Sequence, residues 1–261
     1  MLPIRLGKYH GNLPQTWAEL QENQPLFMYT MRLFGRAMPE DALKLSVALT
    51  ALGVPRWRWY PVKFLGWWFE FVCEDAATLL IEKMDFLTEK APEPLVVNMF
   101  PSLGRYRGLT NIWGEMETWE WGEMERHFLA VPDKPERINQ FMAAWYRPYR
   151  RGKRPEFELP RPEDVAFFSK IPDWKKHIVW LFILHIRAQM PEIFPNLFEK
   201  SGSGEGSEKM TWSETIISLS APGDETKTAR VPIGTTLMRL ELKIKENKAF
   251  NKPIRHENQG L

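Results

Sequence analysis

The sequence predicts an all-α, multi-helix protein, bundle-like in character, with a minor β element near residues 95–108. Three observations carry this. Apolar residues recur at helical spacing along most of the chain. S/T-x-x-E capping signals stand at Thr16 to Glu19 and at Thr211 to Glu214. Twenty-one prolines punctuate 261 residues, which delimits helices instead of letting them run on.

Residues 1–15, with Pro3, Gly7, Gly11 and Pro14, read as extended or irregular chain. A helix from Thr16 to about Arg36 follows, then a second that Pro39 opens and Gly53 closes. The short turn between them implies an antiparallel pair. A connector, Pro55 to Pro61, carries Trp57 and Trp59. A third helix over 62–88 has the stripe Phe64, Trp68, Phe71, Val72 and Leu79, stopped by Pro92 and Pro94. Leu95, Val96 and Val97 read as a short strand or extended chain.

Leu109 to Arg154 holds four of the twelve tryptophans together with dense acid and then dense base. Trp113, Trp121, Met124, Phe128 and Val131 share one side of a helix, and the acidic residues read as a solvated face with a dipole bias at the helix start. Asp133, with Glu136, is expected to cap a helix carrying Ile138, Phe141, Met142, Trp145 and Tyr146. Residues 149–162 read as a basic, Pro-rich loop and 162–169 as a short helix. Pro172 opens the most apolar helix, which Pro191 and Pro195 are expected to break. Residues 201–209 form a Gly/Ser linker. The Thr211 capping box opens a helix to about Leu219. Residues 237–246 fit helix better than strand, because Glu241 and Lys245 then stand at i, i+4. Two parts are expected: residues 1–95, and a larger part over 96–261 that includes the linker. The expected total is about eight to ten helices.

Composition excludes several classes. A formal net charge of +2 is too small to make nucleic acid the main partner. The single cysteine, Cys73, allows no internal disulfide, and its apolar neighbours suit a buried thiol in a reducing compartment. The N-terminus lacks the apolar core of a signal peptide. The longest apolar run, Ile178 to Ile186, is far below the ~18 residues a membrane span needs.

No metal or cofactor is expected. The five histidines are scattered, and His177 and His185 do not have the spacing of a ligand pair. No Gly-rich phosphate loop and no nucleophile motif occur. Glu115, Glu117, Glu120, Glu123 and Glu125 run around a whole helix, unlike paired catalytic carboxylates. No catalytic residue is assigned, and a non-enzymatic protein is expected. One constellation remains: Tyr146, Arg147, Tyr149, Arg150, Arg151, Lys153 and Arg154, basic and aromatic with no acid among them. It suits a protein partner, since Arg and aromatic residues dominate interaction hot spots. Cations for phosphates and rings for bases would also suit nucleic acid. A plain alternative is a loop whose arginines pair with the acidic helix before it.

The order of blocks resembles a known group. LPQTWAEL precedes a helix pair. LTNIWGEMETWEWGEMERHF, ERINQFMAAWYRP and IVWLFILHIRAQMPEIFPNLFEK follow, then a Gly/Ser linker, TWSETIISLS and TTLMRLELKIKEN. This resembles uncharacterised proteins encoded among the tail genes of tailed phages and prophages of Bacteroides-like bacteria, near the tape-measure gene where tail-assembly chaperones are encoded. The resemblance implies a tail-assembly factor or a tail-associated structural protein. Such a protein binds other tail components in the host cytoplasm or in the virion. It brings no catalytic residue. A chaperone of this kind would present Trp, Phe and Met to an amphipathic helix, although such residues at helical spacing more often form core. A nucleic-acid-binding protein using the basic loop, and a helical enzyme with an unrecognised site, are the alternatives. No membrane partner is expected, and the oligomeric state is open.

Overall fold

A computed structural model of the chain describes residues 1–6, 9–36, 38–54, 77–109, 111–149, 158–198, 216, 219–221 and 223–250. The connector 55–61, residues 62–76 of the helix expected over 62–88, with Cys73, the basic residues 150–154, the linker at 201–209 and the Thr211 capping box lie outside them. The protein is mostly helical, with a few small strands. It divides into two compact units, Met1–Asn98 with Pro172–Leu184, and Met99–Ile171 with His185–Leu261.

The first unit opens with a hairpin, the extended one of the two alternatives, extended or irregular, that the sequence leaves for residues 1–15. β1 (Leu2–Leu6) pairs antiparallel with β2 (Tyr9–Leu13), Ile4 opposite Gly11. Alternate residues Leu2, Ile4 and Leu6 are partly covered while Pro3 and Arg5 are exposed, the period of two that a half-covered ribbon needs. Gly11 lies where a Cβ would come within 2.6 Å of the Ala51 carbonyl oxygen, so only glycine lets the hairpin sit this close.

The helix expected from 16 to 36 is two, α1 (Trp17–Glu22) and α2 (Gln24–Phe34). Thr16 caps α1 by accepting from Glu19 N–H at 3.2 Å. The Glu19 carboxylate reaches back to Gln15 N–H at 2.7 Å and to the terminal ammonium of Met1. Asn23 then stops α1 and caps α2, its side chain accepting from Leu26 N–H at 3.3 Å. α3 (Glu40–Ala51) follows Pro39 and ends before Gly53, whose φ of 71° is the left-handed turn that favours glycine. Residues 77–82 are helical, and a turn separates them from α4 (Phe86–Glu89), so the expected helix does not continue unbroken to 88. Leu79 is exposed, not part of a buried stripe. Leu95–Val97 forms no strand; Leu95 N–H donates to Leu181 O, while Val96 and Val97 face outward. Trp17 anchors the core of this unit, edge-on to Phe27 and Phe86, with its indole N–H on Lys90 O at 3.0 Å.

The second unit contains a three-stranded antiparallel sheet in the order β3 (Ser102–Leu103), β4 (Tyr106–Arg107), β5 (Arg147–Pro148). The minor β element expected near 95–108 is therefore present at 102–107, with β5 as an addition. The helix expected to carry Trp113, Trp121 and Phe128 is again two, α5 (Ile112–Glu115) and α6 (Thr118–Ala130). Asn111 caps α5 by accepting from Gly114 N–H at 3.1 Å. Met116 and Glu117 leave the helix because other chain claims their backbone: Ile233 N–H donates to Met116 O at 2.7 Å, and Glu117 forms a bridge with Pro232.

The Asp133 cap does not form. A 3-10 turn at Pro135–Arg137 without a side-chain cap leads instead into α7 (Ile138–Trp145). α8 (Pro162–Ser169) is as expected. α9 (Asp173–Ile193) runs through Pro191 instead of breaking at it, and α10 (Pro195–Phe198) begins after Phe194. α11 (Glu225–Ala229) leads to α12 (Ile233–Phe250), which resolves the terminal segment as helix. Twelve bounded α-helices and the helical segment 77–82 stand among the described residues, more than expected, because helices read as one are split, by the Asn23 cap in one case and by pairing with Pro232 and Ile233 in the other.

Glu241 of α12 does not serve an i, i+4 pair with Lys245. It caps α10, accepting from the backbone N–H groups of Asn196 and Leu197 at 3.0 and 2.9 Å. Burial pushes the carboxyl upward, but the Asn196 side chain and these two N–H groups outweigh it and hold it below its ordinary 4.5.

Candidate interaction surface

The acid-then-base stretch folds so that part of each half meets the other. Glu120 lies in the first turn of α6, where the helix dipole favours a carboxylate. It is fully buried, not part of a solvated face. One oxygen accepts from Glu117 N–H at 3.3 Å, and the same oxygen is 2.6 Å from the Arg147 guanidinium. Glu123 faces His127 at 3.0 Å and Arg126 at 2.7 Å, and Glu125 meets Arg187 at 3.1 Å. The Arg187 guanidinium also lies 5.4 Å from the Phe128 ring centroid. Burial pushes the His127 imidazole below its ordinary 6.5, with Glu123 opposing. Arginines pairing with the preceding acidic helix is thus what Arg147 does.

Arg147 is 7% exposed and Tyr146 1% exposed, so neither belongs to an outer rim. The Tyr146 hydroxyl donates to Phe100 O, and its ring lies 5.6 Å from Phe168. The physical reason is β5 itself: pairing with β4 draws 147 and 148 into the sheet while α7 draws in Tyr146. Tyr149, at 36% exposed, is the first residue of the run to reach the surface. Arg150, Arg151, Lys153 and Arg154 follow it outside the described residues.

The sheet brings two further cations toward Tyr149, both from outside the basic run. Gly104, with φ 58°, starts the two-residue turn between β3 and β4. β4 then pairs Arg107 with Arg147 and Tyr106 with Pro148, and Tyr149 N–H donates to Arg105 O at 2.9 Å. Alternation turns Tyr106 inward and leaves Arg105 and Arg107 exposed. The Arg107 guanidinium carbon sits 3.9 Å from the centroid of the Tyr149 ring. Arg105 donates to the Tyr106 hydroxyl at 3.1 Å, and that hydroxyl donates to Asp164 at 2.6 Å. Burial, then the bond to Asp164, raises the Tyr106 phenol above its ordinary 10.0.

Beneath this corner, Tyr106 packs on Phe167 and Phe168 of α8 at 4.6 and 5.0 Å. The corner presents guanidinium groups beside a ring, on a sheet braced by a buried ion pair and an aromatic cluster. No group of potential metal ligands occurs among the described residues, and no described helix is long and apolar enough to cross a membrane. The signal that could have found Arg105 and Arg107 is local: Leu103-Gly104-Arg105-Tyr106-Arg107 has the glycine and alternation of a hairpin.

Compared with protein-family models, with curated proteins and with solved structures, the chain matches none.

Proposed function

We propose that this chain is a non-enzymatic protein-interaction protein, a tail-assembly factor or tail-associated structural protein of a tailed phage or prophage. It would work in the bacterial host cytoplasm or in the virion. The observation that carries the interaction reading is the corner at Tyr149, where Arg107 lies on the ring at the start of the basic run. Arg and Tyr are the residue types that concentrate binding energy at interfaces. The block order along the chain supports the tail assignment. The acidic row on α6, the one feature that invited a catalytic reading, has structural employment: three of its carboxylates face basic groups.

The test is co-purification of the tagged full chain from cells that also express the flanking genes. Recovery of an identified tail protein is expected. Recovery of no gene product from that set contradicts the reading.

Nucleic acid is the second reading, favoured by the same basic run. It requires binding that weakens steeply with salt and that depends on Arg150 and Arg151.

A further inference from the structure

We propose that the partner's contact element is an acid-rich protein segment, and that Arg107, held against Tyr149, is the residue that receives its carboxylates. This rests on the interaction reading above and names the chemistry of the partner.

What remains exposed points away from nucleic acid. A single-stranded nucleic acid site combines cations with several rings on which successive bases stack. The basic run holds two candidate rings, Tyr146 and Tyr149. Tyr146 is core, with its hydroxyl on Phe100 O, and Arg147 faces the buried Glu120. One ring and one cation are thereby withdrawn from the run. Tyr149 remains, and Arg107 occupies a place over its ring.

The geometry suits a carboxylate. The Arg107 guanidinium carbon is 3.9 Å from the Tyr149 ring centroid, and a guanidinium's planar N–H fork grips a carboxylate, as it does a phosphate, through two parallel hydrogen bonds. Stacking also fixes a side chain that would otherwise lose rotamer freedom on binding.

Charge agrees. Arg105 and Arg107 are exposed on β4, and Arg150, Arg151, Lys153 and Arg154 follow Tyr149 in sequence with no acid between them. Among the described residues the charges of Asp164, engaged by the Tyr106 hydroxyl, and of Glu163 act on Arg105. Arg107 enters no ion pair among the described residues. An acid-rich segment complements the charge of this corner.

The experiment is fluorescence anisotropy on the full chain with three labelled probes: a glutamate-rich peptide, a lysine-rich peptide of equal length, and an oligothymidylate. The glutamate-rich peptide is expected to bind, the lysine-rich one not. Arg107→Gln should weaken the first by about tenfold, the loss of one charge-assisted pair. Tyr149→Phe should keep most of the affinity and Tyr149→Ala should lose it as Arg107→Gln does. Both positions are exposed, and an unchanged circular dichroism melt will separate lost binding from lost fold. Tighter binding of oligothymidylate than of the acidic peptide overturns the proposal in favour of nucleic acid. Acidic-peptide binding that Arg107→Gln leaves unchanged overturns the assignment to this corner. No binding of the acidic peptide overturns it as well, while recovery of a tail protein by the full chain would leave the broader interaction reading standing.

Discussion

Glu120 serves two partners at once, and each explains the other. As the third residue of the first turn of α6 it satisfies an N–H group that the helix leaves open at Glu117. As a fully buried anion it needs a counter-charge, which Arg147 supplies at 2.6 Å. Removing either partner alone strands the other in a poorly solvated place. Glu120→Leu or Arg147→Met should each cost about 3–5 kcal/mol of unfolding free energy in urea. The double variant should cost less than the sum of the two. Single variants within about 0.5 kcal/mol of the parent would contradict the assignment.

His127 makes a prediction of its own. Burial favours its neutral form in the folded chain, so the folded value lies below the unfolded one. Its contribution is complete above the ordinary value of 6.5 and is lost as pH falls through the depressed folded value. Urea midpoints measured at about pH 7 and about pH 5 should differ less for His127→Gln than for the parent. An equal difference in both would remove His127 as the cause.

At the scale of elements, legibility in the sequence depends on how local the determinant is. The capping at Thr16 and the helix over 162–169 are written within four or five residues, and both are legible. Asn23 followed by Pro25 is equally local, yet the apolar spacing runs on through it, so one helix is expected where two stand. The break at Met116 and Glu117 is not legible. It depends on Ile233 and Pro232, more than a hundred residues away. Distance in sequence also hides the true role of Glu241, which caps a helix 44 residues before it. The hairpin of β1 and β2 is hidden by its glycine, which reads as a breaker until Ala51 is seen against it.

That contact is testable. Gly11→Ala places a methyl 2.6 Å from a carbonyl oxygen of the backbone, which cannot swing aside. The variant should be destabilised by about 1–3 kcal/mol, with the loss read from urea unfolding. An alanine tolerated without loss would mean that the hairpin does not rest on α3.

For the whole molecule, the division into two compact units differs in detail from a single cut near residue 95, because residues 172–184 cluster with the N-terminal unit. A continuous helix, α9, contributes to both, and no composition shift marks the change within it. The helical class is legible because periodicity and capping repeat along the chain. The proposed interaction surface is legible in the sequence, among the described residues, only at Tyr149. Burial removes Tyr146 and Arg147 from it, and strand pairing adds Arg105 and Arg107. The burial of Tyr146 and Arg147 leaves no mark in residue order, since it depends on which strand lies beside β5, whereas Arg105 and Arg107 stand in the local hairpin pattern of 103–107.

If this chain acts by binding an acid-rich protein segment at that corner, one measurement bears on it most directly. It is co-purification of the full chain with the products of its flanking genes, comparing the parent with Arg107→Glu and identifying what is recovered by mass spectrometry. The predicted result is an identified, acid-rich tail protein with the parent and a loss of most of it with Arg107→Glu. Equal recovery by both chains would contradict the corner, and recovery of none of those products by the parent would contradict the interaction itself.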